Sequence, residues 1–314
     1  MTPGRTSVGV QTEAEAAAAW KERSARVGHR PPAASFEGRR VLTLESRRAP
    51  ELALLVVNYG GVPVVAPALR EVPLDSHAPA LALAASLLQR EYDLLVLTTG
   101  IGTRLFVKLA SPTVGYDAIV AALQSVRIVA RGPKPVAALR ELGITPWLTA
   151  PSPNTWREVV STLDARAPGV CAGGTRVAVQ EYGAPNPDLV EALEERGARL
   201  TSVSLYRWAL PEDVEPLRSA VRAIIAGTID VVLLTASVQL LHLLEVAGGM
   251  ALNGELRRAL AHVVIASIGP MTSDELRRQS LPIDLEPSHP KMGFLVKEAA
   301  ERCGRLLDGK RAVR

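Results

Sequence analysis

The 314-residue sequence has few cysteines, scattered histidines and no long apolar run. Its two cysteines, Cys171 and Cys303, are too few for a disulfide framework and lack metal-ligand spacing, so both are interpreted as unpaired thiols. None of the five histidines forms an HxH or HxxxH pair, and we expect no metal site. No apolar run approaches the roughly 18 residues that cross a bilayer, and the N-terminus lacks a signal-peptide pattern. We therefore expect no membrane association and a cytoplasmic location.

The sequence also lacks the features of several functional classes. The net charge is +4, but basic residues are dispersed and aromatic residues make up only 4% of the chain, which argues against a nucleic-acid partner. Neither a GxGxxG nor a GxxxxGK[ST] loop is present, so a nucleotide is disfavoured and no cofactor is expected. No close carboxylate pair, Ser-His-Asp or Cys-His pattern supports hydrolase chemistry. An anionic small molecule fits this composition best.

A repeated segment organises the chain. Residues 93–99 read DLLVLTT and residues 230–236 read DVVLLTA, and in each copy a Gly-Pro pair follows the aspartate after 39 residues. The similarity extends N-terminally with an offset of 136 or 137 residues. It predicts an extension over residues 1–37, then two copies at about 38–173 and 174–310. Copies of this length indicate two similar domains, as the chain length also suggests.

Within each copy, short apolar runs alternate with stretches whose apolar residues recur at three- and four-residue spacing. The predicted strands are Val41–Leu44, Val62–Ala66, Leu94–Thr98, Arg127–Ala130, Val177–Gln180, Leu200–Leu205, Val231–Thr235 and Val263–Ile268. The predicted helices include Pro50–Asn58, Pro133–Leu142, Asp188–Arg196 and Ser273–Arg278. This alternation predicts α/β domains, each with a parallel sheet covered on both faces. Such sheets bind ligands outside the carboxyl ends of their strands.

The turns at the ends of these strands are where the copies agree best. They read TTGIG (98–102), RGPK (131–134), TASVQ (235–239) and IGPMT (268–272). Backbone N–H groups, threonine hydroxyls and a helix dipole at such a turn can accept an anion, and Arg104 lies one turn inside the helix. Two matched turns could contact one ligand from both sides. The alternative is ordinary helix capping by threonine and turning by glycine.

Several basic residues lie at these turns or near the join between the copies. They are Arg47, Arg48, Arg131, Lys134 and Arg207. The planar fork of arginine suits carboxylates, which favours a polycarboxylate ligand. Solvated surface charge is the alternative interpretation for each one.

Six segments resemble the uroporphyrinogen-III synthase family in their order and spacing, although no single one is diagnostic. Together they cover nearly all of residues 38–308. They read VLTLESRRAPELALLVVNYGGVPVVAPALREVP, DLLVLTTGIG, ARGPKPVAALRELG, VAVQEYGAPNPDLVEALEERGARLTSVSLYRWALP, DVVLLTASVQLL and IGPMT.

The resemblance implies two similar α/β domains, each a doubly wound parallel sheet, joined by a two-stranded β linker with a cleft between them. In such proteins the first strand–helix–strand unit packs with the C-terminal half. We therefore expect one domain from about 38–69 plus 208–310, and the other from 70–207. The linker strands are expected near Ala66–Pro73 and Val203–Pro211.

The resemblance also implies an activity. Family members convert linear hydroxymethylbilane into a macrocycle for haem, sirohaem or cobalamin synthesis, losing the ring-A hydroxyl as water and inverting ring D through a spiro intermediate. This lyase chemistry uses no cofactor. It requires eight carboxylates to be held productively and one weak acid near the departing oxygen. The expected partner is therefore this small molecule, and the protein is expected to be a monomer.

Tyr206, in VSLYRW, matches the family's linker tyrosine and is the implied catalytic acid. With an ordinary pKa of about 10, its phenol is protonated at neutral pH. The alternative is an amphipathic ring at a domain joint. The predicted substrate-binding residues are Arg47, Arg48, Thr98, Thr99, Gly100, Gly132, Lys134, Tyr182, Gly183, Thr235, Ala236, Ser237, Gly269 and Thr272.

The chain departs from the family pattern in two turns. Pro-Lys-Pro stands at 133–135 where many members carry threonine, so a hydroxyl is lost and a cation gained. After Gly269, the usual hydroxyl pair is reduced to Met271 and Thr272. The TTGIG and ARGPK segments also resemble a subgroup in which some members carry a winged-helix DNA-binding domain. No such domain is expected after the last predicted helix, at about Lys291–Leu307. A non-catalytic tetrapyrrole- or anion-binding regulator stays open as an alternative.

The predicted extension over residues 1–37 has no assigned role. Its sequence is compatible with a short helix over Glu13–Arg26. Pro31, Pro32 and the polar residues near them favour a loose attachment to the rest of the chain.

Overall fold

The computed structural model describes residues 34–74, 76–183 and 185–312. The chain divides into two compact units. The first unit contains the described residues up to Arg70 and those from Leu210 onward, and the second contains Glu71–Ala209. The helix predicted over Glu13–Arg26, like nearly all of the predicted extension, lies outside the described residues. The domain boundaries expected from the sequence stay predictions.

The described elements alternate between strands and helices, as the sequence pattern predicts. The strands are β1 (Arg40–Thr43), β2 (Val62–Val65), β3 (Arg70–Pro73), β4 (Leu94–Leu97), β5 (Arg127–Ala130), β6 (Leu148–Thr149), β7 (Arg176–Gln180), β8 (Arg199–Val203), β9 (Tyr206–Ala209), β10 (Val231–Leu234) and β11 (Val264–Ser267). The helices are α1 (Ala49–Asn58), α2 (Ala78–Leu88), α3 (Gly100–Val114), α4 (Tyr116–Ser125), α5 (Pro133–Glu141), α6 (Trp156–Arg166), α7 (Pro187–Glu194), α8 (Glu215–Ile225), α9 (Ser237–Gly249), α10 (Asn253–Leu260), α11 (Pro270–Arg278) and α12 (Met292–Ala312).

Each unit is built on a parallel sheet. In the first unit the strand order is β11-β10-β1-β2, and every neighbouring pair is parallel. In the second unit the order is β6-β5-β4-β7-β8, again parallel throughout. A separate two-stranded sheet pairs β3 with β9, where the chain passes from one unit to the other. The predicted α/β class with two parallel-sheet domains is confirmed.

The central strands are buried on both faces, which explains their continuous apolar sequences. In β4, Leu95 and Leu97 pack into one hydrophobic cluster, whereas Leu94 and Val96 pack into another on the opposite face. Strand β10 divides its four residues between two clusters in the same way. Parallel strands covered by helices on both sides have no solvent face, so no polar alternation is required. None of the described helices is long and apolar enough to span a membrane.

The aspartate that begins each repeated segment holds the start of the neighbouring strand. The Asp93 carboxylate accepts the backbone N–H of Arg176 at 2.9 Å, and the Asp230 carboxylate accepts the backbone N–H of Arg40 at 2.9 Å. Each aspartate thus satisfies the first donor of the strand beside it, in β7 and in β1 respectively. The matched sequences therefore have matched local roles, while the duplication itself stays a prediction.

We expect Asp93→Asn to lower the free energy of unfolding by about 0.5–1 kcal/mol at pH 7, because it removes a two-pronged ion pair that is half exposed. Hydrogen bonds from Arg176 lower the pKa of Asp93 to about 2, so the carboxylate stabilises the fold above its ordinary pKa of 3.8. That stabilisation is lost as the pH falls toward 2. Urea unfolding of both proteins between pH 7 and pH 3 measures it. A difference that stays constant with pH would instead place the effect in packing.

Candidate functional site

The turn after β4 shows how the sequence TTGIG builds a helix start. The Thr98 hydroxyl is buried and donates to the backbone carbonyl of Gln180 at 2.7 Å. Thr99 is the N-cap of α3, and its hydroxyl accepts the backbone N–H of Gly102 at 3.0 Å. Capping therefore accounts for one contact of the Thr99 hydroxyl, which has a second neighbour in Tyr206, whereas the Thr98 hydroxyl is bonded to the neighbouring strand β7.

The two glycines of this turn allow close packing at the carboxyl edge of the sheet. A Cβ atom on Gly100 would lie 2.4 Å from the backbone carbonyl oxygen of Lys134, at the start of α5. A Cβ atom on Gly102 would lie 2.0 Å from the amide nitrogen of Gln180. Both positions exclude a side chain because a neighbour already occupies the space. Gly132 has the same property, since its Cβ would lie 2.8 Å from the side chain of Asn154.

The Arg104 guanidinium lies beside this turn and is paired with an acidic residue. It forms two hydrogen bonds with Glu141, at 2.8 Å and 2.6 Å. One of its nitrogens would lie 3.2 Å from a Cβ on Gly100. The expectation that Arg104 assists an anion at the start of α3 stays a prediction, and in the described structure Glu141 is its partner.

Tyr206 begins β9 and carries its hydroxyl to the turn after β4. The ring is only 2% exposed and belongs to a hydrophobic cluster of the second unit. Its hydroxyl oxygen lies 3.4 Å from the Thr99 hydroxyl oxygen. Burial raises the pKa of Tyr206 to about 12, against the opposing effect of the hydrogen bond with Thr99. The phenol is therefore a proton donor across the whole neutral range.

Two further aromatic rings complete the surroundings of Tyr206. The Trp208 ring lies edge-on to the Tyr206 ring, with centroids 5.6 Å apart, and 5.8 Å from the Tyr182 ring. The Trp208 indole N–H donates to the backbone carbonyl of Tyr182 at 2.8 Å. Gly183, at φ +75°, allows this arrangement, because a Cβ there would lie 2.6 Å from the Tyr206 ring. Contacts of this kind fix the positions of all three rings.

Arg131 follows the end of β5 and joins the same group. Its guanidinium carbon lies 5.2 Å from the centroid of the Tyr182 ring, within range of a cation–π contact. Burial lowers the pKa of Arg131 from its ordinary value, while Tyr182 and Tyr206 act in the opposite direction. We call Thr99, Arg131, Tyr182, Tyr206 and Trp208 the tyrosine cluster. The cluster lies within the second unit.

The turn after β10 in the first unit is built differently. Ala236 stands where Thr99 caps the other copy, so no side-chain oxygen of the described residues caps α9. The Gln239 amide oxygen accepts the backbone N–H groups of Thr235 and Ala236 at 2.8 Å and 3.3 Å. The Thr235 hydroxyl donates to the Glu45 carboxylate at 2.6 Å. Ser237 begins α9 and is half-buried. A carboxylate therefore stands at the position where an anion was expected.

The turn after β11 is likewise occupied by protein groups. The Ser273 hydroxyl lies 2.9 Å from the Ser267 hydroxyl and also donates to the Glu286 carboxylate. Gly269 has extended backbone and lies close to Pro290, and Thr272 is buried with 3% exposure. The substrate-binding roles expected for Gly269 and Thr272 stay predictions.

The predicted site residues thus fall into two groups. Those in the second unit are Thr98, Thr99, Gly100, Gly132, Lys134, Tyr182, Gly183 and Tyr206, and those in the first unit are Arg47, Arg48, Thr235, Ala236, Ser237, Gly269 and Thr272. Arg47, Arg48 and Lys134 are exposed, and the Arg48 side chain lies 3.7 Å from Glu51. Sequence reasoning missed Trp208, and it named Arg131 as a candidate cation for a polycarboxylate without placing it among the substrate-binding residues. No group of three or more His, Cys, Asp or Glu residues that could hold a metal occurs in the described part of the chain.

Comparison with known proteins agrees with this architecture. A family model described as "Uroporphyrinogen-III synthase HemD" matches residues 50–297. The "Uncharacterized protein YjjA" of Bacillus subtilis is 28% identical over 267 residues, covering 84% of this chain and 96% of that protein. A "Putative uroporphyrinogen-III synthase" of Methanothermobacter thermautotrophicus is 25% identical over 243 residues, covering 76% and 89%.

Solved structures give the same result. The crystal structure of a mutant uroporphyrinogen III synthase from Thermus thermophilus matches with a TM-score of 0.64 and 26% identity, covering 87% of this chain and 100% of that one. The wild-type Thermus thermophilus enzyme, in another crystal form, matches with a TM-score of 0.50 and 28% identity over the same shares. With the family model covering most of its length, this chain belongs to the uroporphyrinogen-III synthase family.

Proposed function

We propose that this protein is a uroporphyrinogen-III synthase that cyclises hydroxymethylbilane, inverts ring D and releases water, acting as a monomer without a cofactor. The observation that carries the proposal is the tyrosine cluster. It places a phenol held in its protonated form beside a threonine hydroxyl and an arginine, at the carboxyl edge of a parallel sheet. Ligands of such sheets bind at that edge.

The chemistry needs little more than this cluster supplies. Loss of the ring-A hydroxyl breaks a carbon–oxygen bond, and the electron-rich pyrrole provides the electrons for the resulting cation. A proton from the Tyr206 phenol turns the departing hydroxyl into water. Ring D then attacks through its substituted carbon, rearranges through the spiro intermediate and loses a proton on closure. That final proton balances the one donated, so the phenol ends the cycle protonated.

The alternative is a regulator that binds a tetrapyrrole or another anion without turning it over. The near-complete burial of Tyr206, at 2% exposure, favours this alternative because a catalytic acid must reach its substrate. The two functions differ in what happens to hydroxymethylbilane. A regulator binds it and leaves its spontaneous cyclisation, which gives the type I isomer, unchanged.

A coupled assay tests the proposal. The purified protein is supplied with hydroxymethylbilane by hydroxymethylbilane synthase, and the products are oxidised and separated by chromatography. We expect mainly the type III isomer, in the presence and in the absence of a strong chelator. A product that is entirely type I, equal to a control without the protein, would contradict the synthase activity and favour the regulator.

A further inference from the structure

We propose that Arg131 binds a carboxylate of the substrate and so positions it beside the Tyr206 hydroxyl. This inference rests on the proposed function for the identity of the ligand, and it names a specificity-determining residue for that reaction. The sequence named Arg131 only as one of five dispersed basic residues, and its contacts in the tyrosine cluster distinguish it from the other four.

Arg131 has no acidic partner in the part of the chain that the structure describes. No carboxylate in residues 34–74, 76–183 and 185–312 forms an ion pair with it. Other arginines of the second unit are bound in two-pronged pairs: Arg104 to Glu141, Arg176 to Asp93 and Arg196 to Asp164. A half-buried cation without a counter-charge is costly, and an anionic ligand would remove that cost.

Arg131 contacts an aromatic ring and not a counter-charge. Its guanidinium carbon lies over the Tyr182 ring, 5.2 Å from the centroid, and Tyr182 in turn contacts Trp208. A cation–π contact does not use up the N–H donors of a guanidinium, so a planar acceptor can still bind them. A carboxylate is the acceptor that this fork binds with two parallel hydrogen bonds.

Arg131 is connected to the reacting group through a series of ring contacts. Tyr206 and Tyr182 both pack against Trp208, with ring centroids 5.6 Å and 5.8 Å from it. Burial lowers the pKa of Arg131, in agreement with a site that is dry enough to strengthen an ion pair. A substrate carboxylate on Arg131 would therefore hold one pyrrole ring near the phenol and the Thr99 hydroxyl.

Kinetics of the full-length protein test this role. We expect Arg131→Met, which keeps an unbranched stem and removes the charge, to raise KM about 10- to 100-fold, the loss typical of a charged hydrogen bond. The value of kcat is expected to change by less than about threefold, because the anchor acts alike on ground and transition states. The KM of Arg131→Lys should lie between those of the wild type and Arg131→Met, since lysine keeps the charge and loses the planar fork.

Arg127 provides a matched control in the same strand. It begins β5, whereas Arg131 follows the end of β5, and its guanidinium stacks over the exposed ring of Trp147 at 5.3 Å. Arg127→Met makes the same chemical change at the opposite edge of the sheet. We expect it to leave KM unchanged. An equal rise in KM for both variants would show a general charge effect and overturn the proposal.

Direct binding separates this inference from the proposed function. Uroporphyrin III, an octacarboxylate, is titrated against each protein while quenching of tryptophan fluorescence is followed. If the wild type binds uroporphyrin III about 10-fold or more tightly than Arg131→Met, and that variant is no less stable than the wild type, the role of Arg131 in carboxylate binding is supported even should the coupled assay give only type I product. Equal dissociation constants for the wild type and Arg131→Met would overturn the proposed carboxylate binding by Arg131 even if the protein were an active synthase.

The thermal stability of Arg131→Met distinguishes a ligand-binding role of Arg131 from a purely structural one. Because Arg131 is a cation without an acidic partner, we expect Arg131→Met to have a thermal midpoint equal to or above that of the wild type while its binding weakens. A fall in both stability and binding would assign Arg131 to holding Tyr182 in place and contradict a ligand-binding role.

Discussion

Alanine at position 100 is expected to lower the free energy of unfolding by about 2–3 kcal/mol or more. The added Cβ would lie 2.4 Å from the backbone carbonyl oxygen of Lys134, a distance that real Cβ atoms do not adopt. Because the obstacle is backbone, no rotation of a side chain relieves the contact. The start of α3 and the start of α5 would have to separate, although the two helices pack closely along their lengths.

Gly293→Ala is the matched control. Gly293 is the second residue of α12, as Gly100 is the first of α3, and nothing lies within 4 Å of its added Cβ. We expect that substitution to be neutral or to stabilise by up to about 1 kcal/mol, since alanine favours the helix. Urea unfolding of the two variants gives the comparison. Equal stabilities for both would mean that α5 shifts at no cost, contrary to the packing described.

Separation of the two helix starts would also disturb the tyrosine cluster. Thr99 immediately precedes Gly100, and Arg131 lies three residues before Lys134. A Gly100→Ala protein that folds is therefore expected to lose synthase activity as well as stability. Its loss of activity would exceed that of the exposed Lys134→Ala change, which leaves the backbone of α5 in place.

The strands were predictable because strands buried on both faces appear in the sequence as short continuous apolar runs. Apolar runs at Arg127–Ala130 and Val231–Leu234 bury both faces, and such runs differ clearly from the helical spacing between them. An aspartate precedes both β4 and β10 because, in each sheet, its carboxylate accepts the first backbone N–H of the neighbouring strand. Helix α11 begins three residues earlier than predicted, since Pro270 fits the first helical position.

The composition of the site was less predictable because its decisive contacts join distant residues. Arg104 lies one turn inside α3 and Arg131 directly follows β5, and neither position reveals which partner the guanidinium contacts. One is neutralised by Glu141, 37 residues away, while the other stacks on Tyr182. Thr235 resembles Thr98 in sequence, yet its hydroxyl bonds to Glu45, 190 residues away. Tertiary packing therefore decides which hydroxyls and cations stay available to a ligand.

Tyr206→Phe is expected to lower kcat for type III product by about 10- to 100-fold, at or below the lower end of the usual contribution of a positioned acid. The leaving group departs readily even without help, which limits the effect. The ring stays in its hydrophobic cluster, and the lost contact with Thr99 is a long one at 3.4 Å. We therefore expect the free energy of unfolding to change by less than about 1 kcal/mol.

The pH dependence of kcat follows from the burial of Tyr206. With its pKa raised to about 12, Tyr206 loses its proton only as the pH rises toward that value. The kcat of the wild type should therefore show no loss caused by Tyr206 between pH 6 and about pH 10. An inflection near pH 10 that disappears in Tyr206→Phe would indicate a phenol with an ordinary pKa and contradict its burial.

Two comparison variants decide whether Tyr206 is the acid. Tyr116→Phe removes the same hydroxyl from a ring that is 50% exposed at the start of α4, and it should leave kcat unchanged. Lys134→Ala removes an exposed cation and should mainly raise KM, because carboxylate binding is shared among several donors. If Tyr206→Phe kept full kcat while Lys134→Ala abolished turnover at saturating substrate, the proton would come from the RGPK segment (131–134), which leads into α5. In the first turn of α5 this chain carries Pro-Lys-Pro where the family resemblance implies threonine, so the acid would then be a departure from that pattern.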